Sequence, residues 1–435
     1  MNHSLISKFA GVALIFASVS LTVAAREFRT TLSEIEPGYS ATSVNTAVFR
    51  SASVVSHDGW QYASFYDPEG FVTLAKRRIG TDKWEVRHTA YKGNVKDGHN
   101  VISIGVDRDG YLHVAFDHHG HPLHYARSIA PGSLSLGPLE PMVGRDENDV
   151  TYPEFYSLPS GKMLFVYRSG FSGGGNMVLN VYDPDTAKWE RLHDVLLDGE
   201  GDRNAYWQLC VGDDSTLHLS WVWRETWMVE TNHDLCYARS RDGGKTWERS
   251  DGTPYTLPIT AATAEVAWQI PQKSELINQT SMTANTAECP MIATYWREQG
   301  DSIPCYRLVE HDGTGWRMSV VNRRNTPFSL SGGGTKMIPI SRPRLVANGD
   351  EVFYIFRDAE RGSRVSMAYR ADADSPWEVT DLTDFGVDAW EPSLDYGLWR
   401  AARKLDIYVQ NTSQGDGERT TNTPPQSVYI LSVEK

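Results

Sequence analysis

Apolar and polar residues alternate along most of this chain in short bursts of period two rather than at helical spacing. In HNVISIGVDRDGYLHVAFDHH, from His99, two such bursts flank an Asp- and Gly-rich turn, which predicts an antiparallel hairpin. The same unit recurs seven times, beginning at Thr46, His99, Thr151, Asn204, Thr280, Ser341 and Trp390. After most of these hairpins come a third strand, a turn, and a tryptophan that opens a fourth strand, as in VLNVYDPDTAKWERL and MAYRADADSPWEVTDL. Units of four short strands starting about 50 to 75 residues apart are the signature of β-propeller blades. The expected fold is therefore all-β, a seven-bladed β-propeller of four-stranded antiparallel blades, forming one domain over 26–435. Residues 26–45 and the final SVYILSVEK are expected to complete the last blade, because a ring avoids a free sheet edge.

Ahead of the repeats, residues 1–25 join a basic start around Lys8 to an apolar stretch from Phe9 to Val23, with small residues at Val23 and Ala25. That is the pattern of a signal peptide, so a secreted or periplasmic protein beginning near Arg26 is expected. No later apolar run reaches the roughly 18 residues of a spanning helix. A net charge of −13 argues against nucleic acid or an anionic membrane as the main partner, although a local basic cleft remains compatible with it. The cysteines Cys210, Cys236, Cys289 and Cys305 are too few to be the framework of the fold; they could pair, stay free or hold a metal.

In an antiparallel blade the start of the innermost strand and the end of the second strand share a rim, and this maps side chains onto one mouth of the ring. First-strand starts bring His99, Tyr152, Tyr206, Arg342 and Glu391 there. Second strands end at His118, Arg168, Arg224, Arg297 and Arg357, so four successive blades contribute an arginine to an acidic protein. Guanidinium forks suit carboxylate or sulfate ligands; the alternative is that each arginine pairs with a neighbouring acid such as Glu225 or Glu298. His99 and His119 are expected near the same rim, beside Tyr152, and imidazole and phenol are apt proton carriers. His113 alternates with apolar neighbours and is expected to be buried, while His118 is a candidate substrate contact. No serine nucleophile motif, phosphate loop, dinucleotide fingerprint or HExxH helix occurs. Two of Asp117, Glu154, Glu225 and Glu391 could supply the carboxyl pair of a glycosidase.

The segments DGHNVISIGVDRDGYLHVAFDHHGHPLHY, TYPEF, VYRSG, RNAYWQ, WVWRETW and NHDLCYARSRDGGKTW resemble the BNR-4 repeat propellers. Most informatively, these segments resemble the seven-bladed polysaccharide lyases that cleave ulvan and related rhamnose–glucuronate linkages. Within the last segment, SRDGGKTW is similar to the Asp-box of sialidase-like propellers. The resemblance implies β-elimination, in which a base removes the C5 proton of a uronic acid and the C4 oxygen leaves. It implies His99 and Tyr152 as the proton-transfer pair, with base and acid unassigned, Arg168 and His119 as carboxylate neutralisers, and Tyr206 as a site contact. Arg224, Arg297, Arg357 and His118 join these as expected substrate contacts, on an anionic polysaccharide bound by a monomer without a catalytic cofactor. The resemblance also implies a structural metal, zinc or calcium, for which His233, Cys236, Cys305 and Cys210 are the candidate ligands; buried thiols without metal are the alternative. A sialidase-like glycoside hydrolase and a non-catalytic carbohydrate-binding propeller are the competing functions.

Overall fold

The computed structural model describes Met1, residues 28–47 and residues 52–435; the expected signal peptide beyond Met1 lies outside these residues. The alternating bursts become paired strands. Ile102–Val106 and Leu112–Phe116 pair antiparallel around a turn in which the Asp107 carboxylate accepts the backbone N–H groups of Asp109 and Tyr111. Gly110 closes that turn at φ 86°, a conformation a side chain would strain.

Seven such sheets form the blades of a propeller. The first holds Val54–His57, Trp60–Tyr66, Phe71–Arg78 and Glu85–Lys92, the fourth Asn204–Val211, Leu217–Arg224, Asn232–Ser240 and Glu265–Trp268. The second and third depart from the uniform four strands. His119–His121 leaves the second blade, which keeps three strands, and pairs with Val150–Ser157, giving the third blade five. The departure starts at Asp117, whose φ of 65° turns the chain out of the hairpin. In the seventh blade Gln426–Glu434 lies between Leu405–Gln410 and Arg29–Gly38, so the amino-terminal strand closes the ring as expected.

Apolar side chains fill the gaps between blades. Between the third and fourth, Leu164 and Val166 meet Trp207, Trp221, Trp223 and Trp247, all buried. Trp247 belongs to the SRDGGKTW turn and donates its indole N–H to the Gly244 carbonyl, while Asp242 accepts from the Thr246 backbone and hydroxyl. Removing such a tryptophan side chain costs about 3–5 kcal/mol. All four cysteines are free thiols. Among the described residues no helix is long and apolar enough to cross a membrane.

Candidate active site

The mouth where the innermost strands begin holds a cavity of about 170 Å³ lined by His99, His119, Tyr152, Arg168, Tyr206, Arg224 and Arg342. Ser172, Trp227, Asn278, Thr335 and Lys336 complete its polar and aromatic wall, and among the described residues no Asp or Glu lines it. Each side chain arrives for a local reason. Val150–Ser157 carries a register shift between Thr151 and Glu154, and there Tyr152 adopts φ 57°. A bulky residue ahead of proline resists that left-handed conformation, at a cost of about 1–3 kcal/mol, and such strain concentrates at functional sites. Tyr206 lies near the start of Asn204–Val211, opposite the end of Leu217–Arg224.

The two histidines share one carboxylate. Asp97 accepts the His99 backbone N–H at 2.9 Å and meets His99 Nδ1 at 2.8 Å and His119 Nδ1 at 2.6 Å. The imidazoles stack with centroids 4.0 Å apart. Glu418 reaches His99 Nδ1 at 3.2 Å and is itself held by the Thr335 N–H and hydroxyl. Burial alone would lower the His99 pKa, but Asp97 and Glu418 outweigh it and raise it to about 9. His119, desolvated and facing the His99 charge, is lowered despite Asp97. Burial would raise the Asp97 pKa, yet the two imidazoles bring it well below the carboxylate range.

The phenols sit against the arginines. The Arg168 guanidinium lies 5.0 Å from the Tyr152 ring centroid, Arg224 lies 5.5 Å from that of Tyr206, and the two rings are 5.8 Å apart. Burial opposes ionisation of both; Arg224 and Arg168 nevertheless lower Tyr206 to about 8, whereas burial and the neighbouring Tyr206 keep the Tyr152 proton firmly in place. Arg168 is 2% exposed and donates Nη2–H to Thr151 Oγ1 at 3.1 Å, but its Nε and Nη1 have no hydrogen-bond partner among the described residues. Arg224 donates to the backbone carbonyls of Thr226 and Trp227 rather than to an acid. Arg342 is neutralised by a two-bonded pair with Glu391, at 2.7 and 2.8 Å.

Several expected residues are elsewhere. Arg297 follows the end of its strand and turns outward, its N–H on the Ser274 carbonyl and its side chain on Glu275 at 2.6 Å, the salt-bridge alternative. Arg357 is buried on the carbonyls of Trp390 and Ile338 and lines not this cavity but an adjoining one, which shares Thr335, Lys336, Ile338 and Arg342 with it. His118 follows the left-handed Asp117, so it points inward, fully buried, and its Nε2 accepts the His124 N–H. The carboxyl pair does not form at the mouth. Glu154 is fully buried beside Tyr156 and Gln208, its pKa pushed up by burial to about 7, and Glu225 is held by Arg203 and His233.

Nor do the four expected metal ligands converge. Glu225 and Asp234 occupy both ring nitrogens of His233, Cys236 is packed among core tryptophans, Cys305 is buried in another blade, and Cys210 lines a cavity where the innermost strands end. These residues do not fit a shared ion. Among the described residues the one group of three His, Cys, Asp or Glu donors within 4.8 Å is Asp97, His99 and His119, whose geometry is that of a carboxylate hydrogen-bonded by two imidazoles. Asp97 was missed among the expected site residues, although its place two residues before His99 was a signal; Glu418 and Thr335 come from distant loops and carried none.

Comparison with known proteins agrees with this fold. The pattern of the BNR repeat-containing family matches residues 60–324. A protein of Glaciecola sp. (strain KUL10) named "Ulvan lyase, long isoform" is 25% identical over 26% of this chain and 16% of its own length. One of Alteromonas sp. with the same name is 23% identical over 42% of this chain and 23% of its own. The chain thus spans under a quarter of these curated relatives. Among solved structures, polysaccharide lyase Uly1 superposes with a TM-score of 0.67 at 13% identity, covering 94% of this chain and 99% of that one. A PL25 ulvan lyase bound to -[GlcA(1-4)Rha3S]- superposes with a TM-score of 0.66 at 14% identity, over 94% and 98%.

Proposed function

The chain belongs to the BNR repeat-containing family, and from that premise we propose that it is a polysaccharide lyase that cleaves ulvan, or a related uronate polysaccharide, by β-elimination. It acts as a secreted monomer. The observation that carries this reading is the cavity itself, walled by guanidinium, imidazole and phenol groups with no Asp or Glu among the described residues that line it. A two-carboxylate glycosidase needs its acids facing the sugar, whereas here Asp97 and Glu418 are engaged by the histidines and Glu391 by Arg342. The names of the curated relatives, and the uronate oligosaccharide bound to the PL25 enzyme, support the substrate class.

The difficulty of the reaction is to acidify the C–H bond beside the uronate carboxylate. Arg168, with two nitrogens that have no partner among the described residues, and Arg224 and His119 receive that carboxylate and stabilise the charge that grows on it. The lowered pKa of Tyr206 reports the positive potential the carboxylate would meet. His99 is the base. With Nδ1 committed to Asp97 and Glu418, proton exchange falls to Nε2, and the two carboxylates make this imidazole more basic than an ordinary one. Tyr152, whose proton is tightly held, is the acid. The C5 proton passes to His99, the C5–H electrons form the C4–C5 double bond, the C4–O4 bond breaks, and Tyr152 protonates O4. Adding ulvan to the protein should produce the ultraviolet absorbance of an unsaturated uronate. Reducing ends without that chromophore would mean hydrolysis, and neither product across a panel of uronate polysaccharides would leave only binding.

A further inference from the structure

Phe171 and Trp227 are 69% and 60% exposed, and among the described residues no other phenylalanine or tryptophan is as open to solvent. Both stand at the cavity mouth, on the loops that follow the second strands of adjoining blades. Each ring lies against a glycine. A Cβ on Gly174 would come within 2.6 Å of the Phe171 ring, and one on Gly333 within 2.7 Å of the Trp227 indole. The glycines therefore let each ring settle onto backbone on one side while it stays open on the other. Trp227 lines the cavity. Phe171 walls an adjoining depression of about 360 Å³ that meets the cavity along His119, Arg168 and Ser172.

Large aromatic surface left in water is unfavourable unless something covers it, and here it borders a cationic pocket in an acidic protein. We propose that Phe171 and Trp227 are stacking platforms for sugar rings: Trp227 covers the sugar in the cavity, and Phe171 takes the neighbouring sugar of the same chain in the depression. The ligand class is a pyranose with an apolar C–H face, for which a 6-deoxyhexose beside the uronate is well suited. This rests on the reading that the cavity receives the uronate of a polysaccharide.

The test is calorimetric titration of the full chain carrying Tyr152→Phe with ulvan oligosaccharides, together with KM and kcat on polymer in the native background. Phe171→Ala and Trp227→Ala should each weaken binding about three- to tenfold. KM should rise by the same factor with kcat within about twofold. Phe171→Tyr and Trp227→Phe should restore affinity, and Ile129→Ala, an exposed apolar side chain outside the cavity and depression, should change nothing. Native affinity in either alanine variant, or an equal loss in the Ile129 control, overturns the proposal. Oligosaccharide bound through both rings without unsaturated product would refute the elimination and keep the platforms. Product formed with native KM in both alanine variants would do the reverse.

Discussion

Replacing Arg168 by methionine should separate catalysis from stability. The guanidinium is buried, and no carboxylate of the protein forms a salt bridge or hydrogen bond with it among the described residues. Its contacts within the protein are one hydrogen bond to Thr151, worth about 1.5–3 kcal/mol, and a ring contact with Tyr152, worth about 1–2 kcal/mol. Against these stands the cost of holding a cation out of water, several kcal/mol. Methionine fills much of the same volume without that cost, so the melting temperature should stay the same or rise. The catalytic loss is different in kind. A substrate carboxylate about 4 Å away, at an effective dielectric near 20, interacts with the guanidinium by about 4 kcal/mol. If the transition state realises most of that, kcat/KM falls by about a thousandfold. Arg168→Lys keeps the charge without the fork and should lie between. The assay is unsaturated-product formation on ulvan beside a thermal melt. A loss of more than about 2 kcal/mol of stability would show Arg168 to be a structural cation, and a fall in activity of less than tenfold would refute its role at the carboxylate.

Further outcomes follow from the same geometry. Because the folded His99 pKa is raised to about 9, its contribution of about 3 kcal/mol is fully present below the unfolded value near 6.5 and is lost as pH rises through 9; melts from pH 6 to 10 should show the decline, and Asp97→Asn should shrink it. As the base, His99 must shed its resting proton, so kcat/KM should climb with pH toward 9; a rate that falls over that range would make His99 the acid. Tyr152→Phe removes only the phenolic oxygen and should lower kcat at least about a hundredfold with the melting temperature nearly unchanged; activity within tenfold of native would exclude Tyr152 as the acid. Chelation should leave the melting temperature unchanged, since His233, Cys236, Cys305 and Cys210 do not meet; a chelator-induced drop accompanied by released zinc or calcium would refute this. Asp242→Ala deletes the carboxylate that ties the turn at Thr246 and should cost about 1–3 kcal/mol in denaturant unfolding.

The repeat pattern by itself determined the ring. Period-two alternation sorts side chains to the two faces of a strand, Asp and Gly set the turns, and a recurring tryptophan marks the gap between blades, all within a few residues of one another. It also brought His99, Tyr152, Arg168, Tyr206 and Arg224 to one mouth, because strand ends in a blade follow from strand order. The exceptions began where a single backbone angle intervened. Asp117 turns left-handed, which buries His118 and carries His119 into the next blade, and no local pattern announces that sign of φ. Which arginines stay unpaired was likewise a tertiary matter: Glu275 claims Arg297 and Glu391 claims Arg342, while among the described residues no acid reaches Arg168. The protonation of His99 depends on Glu418, 319 residues away in sequence, and on Thr335, which fixes it. Charge and proton affinity at this site are sums over groups that only folding brings together, so the sequence could name the actors but not their ionisation.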